Sequence, residues 1–169
     1  MSRSVLDDAF GHHVWATLRL IDACLPLTPE QLETPVPGTY GSILGTMRHL
    51  VGADASYLFV TTGGRARRID EDGMDLSELR ATMQRQGAAW TELLAEDPDQ
   101  EAVLVRRRDD GSETQAPLSI RLAQALHHGT DHRSQVCTVL TTLGLEPPAI
   151  DVWDFGEQDG RVVDVPPPG

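Results

Sequence analysis

Leu6, Phe10, Val14, Leu18, Ile21 and Leu25 recur mostly three and four positions apart, the spacing that gathers apolar side chains on one helix face, and they predict an amphipathic helix from residue 4 to about residue 25. Pro26 and Pro29 follow its end. The stretch "PLTPEQLETPVPGTY" up to Tyr40 is proline-rich and irregular, so it is expected to be a long connection. A second helix is expected from about Ser42 to Thr61, stopped by Gly63 and Gly64. After the polar segment "GRARRIDEDGM", Asp75 stands three before Glu78 as in a capping box and opens a third helix, with Leu76, Leu79, Met83, Trp90, Leu93 and Leu94 on its apolar face. "EDPDQ" ends that helix. Residues 102–118 change character, and "AVLVR" and "SETQAPL" around "DDG" predict a short β-hairpin with an aspartate-glycine turn. A fourth helix is expected from Ser119, as N-cap, to Leu143, closed by Gly144, with Pro147 and Pro148 preventing its resumption.

Four helices of about 20 residues joined by long links predict an all-α fold, a four-helix bundle with long crossover connections, plus the hairpin before the last helix. The length of 169 residues and a hydrophobic fraction of 40% fit a single domain over 1–169, with an irregular tail from about residue 145. No window approaches 18 consecutive apolar residues, and "MSRSVLDDAF" carries an acidic pair where a secretory signal needs an apolar run, so a cytoplasmic protein without a membrane partner is expected. Cys24 and Cys137 form no C-x-x-C pair and read as small apolar fillers in a reducing compartment.

Charge narrows the chemistry. The net charge is -12, and all 14 basic residues are arginine. Without lysine there can be no Walker A phosphate loop, no Schiff-base lysine and no kinase of the usual kind. An acidic surface repels phosphate backbones, so no nucleic-acid partner is expected, and "RARR" and "RRR" read as solvated loop and hairpin charges.

The segment "ALHHGTDHRSQ" places His128 and His132 four apart. On a helix that spacing puts both imidazoles on one face, with Cβ atoms about 5–6 Å apart, within reach of one metal ion. Two imidazoles bind weakly, and in a bundle further ligands come from another helix. His49 is the candidate. It points away from Ile43, Leu44, Met47, Leu50, Val51 and Leu58 and shares a stripe with Ser42, Gly45, Thr46, Gly52, Ala53 and Ser56. An uncharged stripe of small residues suits a covered or cleft-lining surface, equally a place where another helix approaches closely. Gly129 follows His128, so the glutamate of an H-E-x-x-H protease is missing, and no E-x-x-H of a di-iron bundle occurs. An all-imidazole site favours zinc, nickel, cobalt or ferrous iron over magnesium or calcium.

"HLVGAD" in the second helix, "HGTDHRSQ" in the fourth and the tail "EPPAIDVWDFG" together resemble the DinB-like (damage-inducible) four-helix proteins, from Leu6 to about Gly156. The resemblance implies a bundle with long crossovers, a homodimer, and a divalent transition metal, zinc or nickel first, held by His49, His128 and His132. It also implies a small-molecule substrate, since some relatives are S-transferases or isomerases that use a low-molecular-weight thiol such as mycothiol or bacillithiol. Ser134 stands where the family often has glycine and Asp131 where it often has histidine, changes beside the proposed ligands rather than among them.

Four readings remain open on the sequence. Thiol transfer leads, with hydrolysis by an activated water as runner-up. A non-catalytic metal-binding dimeric module and a metal-free bundle are the alternatives, the first favoured by the shortage of an evident general base beside the histidines; no catalytic residue is assigned. Asp54 lies on the apolar side of the second helix and is expected to orient a ligand or to pair with Arg133 or Arg19. Gln124 and Gln135 share the His128 face and could bond substrate or merely tile a surface. His12 and His13 are expected to be packed or exposed rather than ligating, His127 points away from His128, and Trp153 and Phe155 are expected to anchor the tail in the core.

Overall fold

The computed structural model describes residues 3–108, 110–165 and 167. Its long helices are α1 (Val5–Cys24), α3 (Ile43–Thr61), α4 (Leu76–Ala95) and α5 (Leu118–Thr142), with two short ones, α2 (Pro29–Glu33) and α6 (Val152–Gln158). Local sequence sets their starts. Ser4, Ser42 and Asp75 each accept a hydrogen bond from the backbone N–H three residues on, satisfying a donor that the helix itself leaves free. The expected Asp75/Glu78 capping box forms in both directions.

Packing explains the long connections. α1 lies against α4 and α5, and α3 lies against the same two helices. α1 and α3 are therefore diagonal to each other, as are α4 and α5, so the chain crosses the bundle twice. Residues 25–42 make the first crossing, and residues 96–117, which contain the hairpin, make the second. β1 (Val103–Arg107) pairs antiparallel with β2 (Glu113–Pro117), Val105 opposite Gln115. Of the predicted aspartate-glycine turn, Asp109 lies outside the described residues, and Gly111 takes a positive φ of 81°.

Two apolar clusters fill the bundle. One gathers Leu20, Ile21, Ile43, Met47, Leu50, Leu79, Met83 and Val136, and the other Phe10, Leu58, Trp90, Leu93, Leu118 and Leu122. Full burial of each leucine or isoleucine contributes roughly 1.5–3 kcal/mol relative to exposure. Cys24 sits in the first cluster, where burial pushes its thiol up to about 12, which makes it an inert filler.

Four expectations are corrected. The connection after α1 is not wholly irregular, because Thr28 and Gln31 form a reciprocal cap and Pro29 starts the short helix α2. The tail is not wholly irregular either, because Asp151 and Asp154 cap α6 in the same way. α5 begins at Leu118, with Pro117 rather than Ser119 at the N-cap and no side-chain cap bond. Its start is held instead by the hairpin and the residue before it, since Leu118 N–H donates to Ala102 O and Arg121 Nη2 donates to Leu104 O and Thr114 O. Trp153 is 70% exposed and anchors nothing in the core, whereas Phe155 packs on Trp15 and His12 of α1. Among the described residues, no helix is long and apolar enough to cross a membrane.

Candidate metal centre

α3 and α5 are packing neighbours, so a histidine on one can meet a pair on the other. His49 rises from α3, and His128 and His132 from α5, one turn apart. One nitrogen from each lies within 4.8 Å of the others. His49 Nε2 and His128 Nε2 are 3.1 Å apart. Two nitrogens bound to one tetrahedral zinc at about 2.0–2.1 Å stand about 3.3 Å apart, so this pair has ligating separation, and the widest pair must close by at most about 1.5 Å. The ring centroids are 4.4–5.0 Å from each other. The donor set therefore fits a borderline transition metal, and it leaves coordination positions for a further ligand.

Neighbouring groups orient these rings. His132 Nδ1 is 2.9 Å from Gln135 Oε1, and the Tyr40 backbone N–H donates to the same oxygen at 3.2 Å. An amide oxygen accepts, so His132 carries its proton on Nδ1 and keeps Nε2 free as a lone pair. Tyr40 also stacks on the His49 ring, 4.2 Å between centroids and 14° between planes. Tyr57 meets His128 edge-on. Burial, then the charges on His132 and His49, push His128 down to about 4. Burial first and His132 second also lower His49, with Glu71 acting the other way. Neutral imidazoles at pH 7 are the form that binds metal.

Beneath the triad lies a buried polar chain. Arg133 Nη1 donates to His13 Nδ1 at 3.0 Å, so the neutral His13 ring presents its other N–H to Asp54 Oδ1 at 3.1 Å. Trp90 Nε1 donates to Asp54 Oδ2 at 2.9 Å. All three ionisable members are nearly inaccessible, Asp54 at 2%, His13 at 1% and Arg133 at 3%. Asp54 thus neither bonds a triad histidine nor pairs directly with Arg133 or Arg19. Its charge meets that of Arg133 across an imidazole, while Arg19 lies over the Trp15 ring. Burial lowers Arg133 to about 10, with Asp54 opposing the shift. Gly129 makes the chain possible, because a Cβ there would fall 2.5 Å from His13 Nδ1 and 2.9 Å from Arg133 Nη1.

The remaining sequence candidates fall outside the triad. His12 bonds Ile150 O, His127 is exposed, and Gln124 donates a long 3.4 Å bond to the Tyr57 hydroxyl. Gln135 holds the His132 ring through Nδ1, and Tyr40, Tyr57 and Glu71 are neighbours of the cluster that periodicity did not find. Tyr40 lies in a connection and Glu71 in a polar loop, where periodicity carries no signal. The glycine at position 52 was the available hint, since the Glu71 side chain occupies the space its Cβ would take.

Comparison with known proteins completes the picture. A solved structure described as "YfiT from Bacillus subtilis is a probable metal-dependent hydrolase with an unusual four-helix bundle topology" superposes with a TM-score of 0.64 at 20% identity, covering 86% of this chain and 91% of that one. At that identity the likeness establishes the shared bundle topology. No curated protein matches the sequence. The profile described as "DinB family" matches residues 1–161. With 161 of the 169 positions accounted for by that profile, this chain belongs to the DinB family.

Proposed function

We propose that this protein is a divalent-metal-dependent enzyme in which His49, His128 and His132 hold zinc or nickel and a small protic nucleophile is activated for attack on a small electrophile. The leading nucleophile is a low-molecular-weight thiol of the mycothiol or bacillithiol kind. The observation that carries the reading is the convergence of three imidazole nitrogens within 4.8 Å, drawn from two helices, with no carboxylate among them. A metal held there supplies Lewis acidity that lowers the pKa of a thiol or water. The three donors are neutral, so a metal held by them would keep its full charge for lowering the pKa of a bound thiol or water. Gln135 fixes the His132 tautomer, Tyr40 covers one face of His49, and Tyr57 borders His128, so the chain's own residues orient the ligands and wall the approach.

Hydrolysis is the second reading, supported by the description of YfiT as a probable metal-dependent hydrolase. One experiment separates the two. Tag-free protein is assayed for metal, loaded with zinc or nickel, and incubated with mycothiol or bacillithiol and monobromobimane, or with p-nitrophenyl acetate alone. Metal-dependent consumption of thiol that His128→Ala abolishes supports transfer. Ester cleavage without any thiol effect favours hydrolysis, and no rate above the metal-free protein in either assay refutes both.

A further inference from the structure

The segment between α3 and α4 brings a carboxylate to the metal centre. It is pinned at both ends: Ile69 and Met74 pack on the larger apolar cluster, Arg48 Nε donates to Met74 O at 2.8 Å, and Met74 N–H donates to Glu71 O at 3.1 Å. Glu71 is thereby laid over α3 at Gly52. A Cβ at Gly52 would fall 2.8 Å from Glu71 Cγ and closer still to its carboxyl group, so only glycine admits the side chain there. Gly52 is one turn beyond His49 on the same stripe, and Cβ positions so related are about 5–6 Å apart. The Glu71 carboxylate makes no hydrogen bond or ion pair with any described residue, and it does not belong to the three-nitrogen cluster.

We infer that Glu71 is a further specificity-determining residue of the three-histidine site: seated on Gly52 beside His49, it is not a metal ligand but disfavours anions at the open coordination positions and favours neutral ligands that bear a proton. The inference deepens the proposed function, since a thiol or water then enters in its protonated form, whereas carboxylates and inorganic anions are turned away. The stripe of small residues on α3 acquires a reason. It makes room for an acidic side chain that approaches from another segment, which a larger residue at position 52 would exclude.

The test uses Co²⁺-loaded full-length protein, in which thiocyanate and imidazole binding are read from the visible absorption of the ion. For unit charges about 7 Å apart in general, removing the negative one tightens a monoanion by roughly 3-fold with water-like screening and more with less screening. Glu71→Gln keeps the side-chain volume, so it should tighten thiocyanate at least about 3-fold while leaving imidazole, which is neutral and carries an N–H, no tighter. Gly52→Ala, which displaces the carboxylate without removing it, should tighten thiocyanate in the same direction. Co²⁺ affinity of Glu71→Gln should fall by only about 10-fold, the loss expected when one nearby negative charge is removed from a divalent ion while its ligands stay in place. Unchanged thiocyanate affinity in both variants overturns the inference, as does equal tightening of thiocyanate and imidazole, which would mean that space rather than charge had changed. Collapse of Co²⁺ affinity in Glu71→Gln would make it a ligand and overturn the inference too. None of these readouts needs turnover, so silent thiol and ester assays would refute the enzymatic reading separately. Failure of the parent to bind Co²⁺ would remove both.

Discussion

Gly129→Ala sets helix propensity against packing, and the two predict opposite signs. Position 129 is inside α5, where alanine is favoured over glycine by about 1 kcal/mol. Were local propensity decisive, the substitution would stabilise the protein. The added Cβ, however, would fall 2.5 Å from His13 Nδ1 and 2.9 Å from Arg133 Nη1, and neither side chain can step aside into solvent because both are buried. Overpacking of a filled interior costs about 1–3 kcal/mol. Moving His13 also stretches its bonds to Asp54 and Arg133, and each buried polar group left unpaired costs about 1–3 kcal/mol more. With one group left unpaired, subtracting the propensity gain leaves a net destabilisation of about 1–5 kcal/mol, a drop in Tm of about 2–20 °C for a chain of this size. Thermal unfolding of metal-free protein measures it. A double-mutant cycle with His13→Ala localises the effect, since removing the ring should relieve the clash and the two losses should not add. A Tm equal to or above that of the parent would refute the close approach of His13 to α5 and the buried chain built on it.

Three further outcomes follow from the same geometry. Gln135→Ala removes the acceptor that holds His132 Nδ1–H, and a competition titration with a zinc chelator should show affinity weakened by about 10–100-fold with little change in Tm; unchanged affinity would mean that Gln135 orients nothing. Asp54→Ala strands the N–H groups of His13 and Trp90 and leaves Arg133 without its buried counter-charge, so urea unfolding should show a loss of about 3–5 kcal/mol; a loss below about 1 kcal/mol would contradict the network. His128 is lowered from 6.5 to about 4, so between those pH values the unfolded chain binds a proton that the folded one does not. Metal-free stability should therefore fall as pH drops from 6.5 toward 4, by about 1–2 kcal/mol from this half-exposed group after allowance for solvent screening, and His128→Ala should flatten that slope.

The long helices were legible because their signals are local and repeated. The first helix shows six apolar residues at helical spacing, and Ser42 and Asp75 mark starts that the fold uses as caps. What the pattern hid was short or set by distant contacts. α2 has five residues and α6 seven, too few for a period to emerge, although Thr28/Gln31 and Asp151/Asp154 carry readable caps. α5 starts one residue before the best local N-cap, Ser119, because bonds from Leu118 and Arg121 to the hairpin and the residue before it fix the backbone there. Bonding to the crossover overrides the capping preference of one serine.

The site divides along the same line. His128 and His132 could be paired from sequence because four residues along one helix fix their geometry. Joining His49 to them requires knowing that α3 and α5 are neighbours, and spacing cannot supply that. Asp54 stands out in the sequence as a carboxylate on an apolar face, expected either to orient a ligand or to pair with an arginine. The structure places His13 between the two charges, and the reason is steric: Gly129 opens a slot on α5 just wide enough for an imidazole. The same logic runs at Gly52, where a second missing Cβ admits Glu71. Each of these glycines lies inside a helix, where it costs about 1 kcal/mol of propensity, and each marks a place where a polar side chain arrives from another segment. Gly52 and Gly129 are thus sequence positions at which tertiary contacts declare themselves, and Gly87, whose Cβ would fall 2.8 Å from Val14 Cγ1 at the α1–α4 contact, extends the pattern to the apolar core.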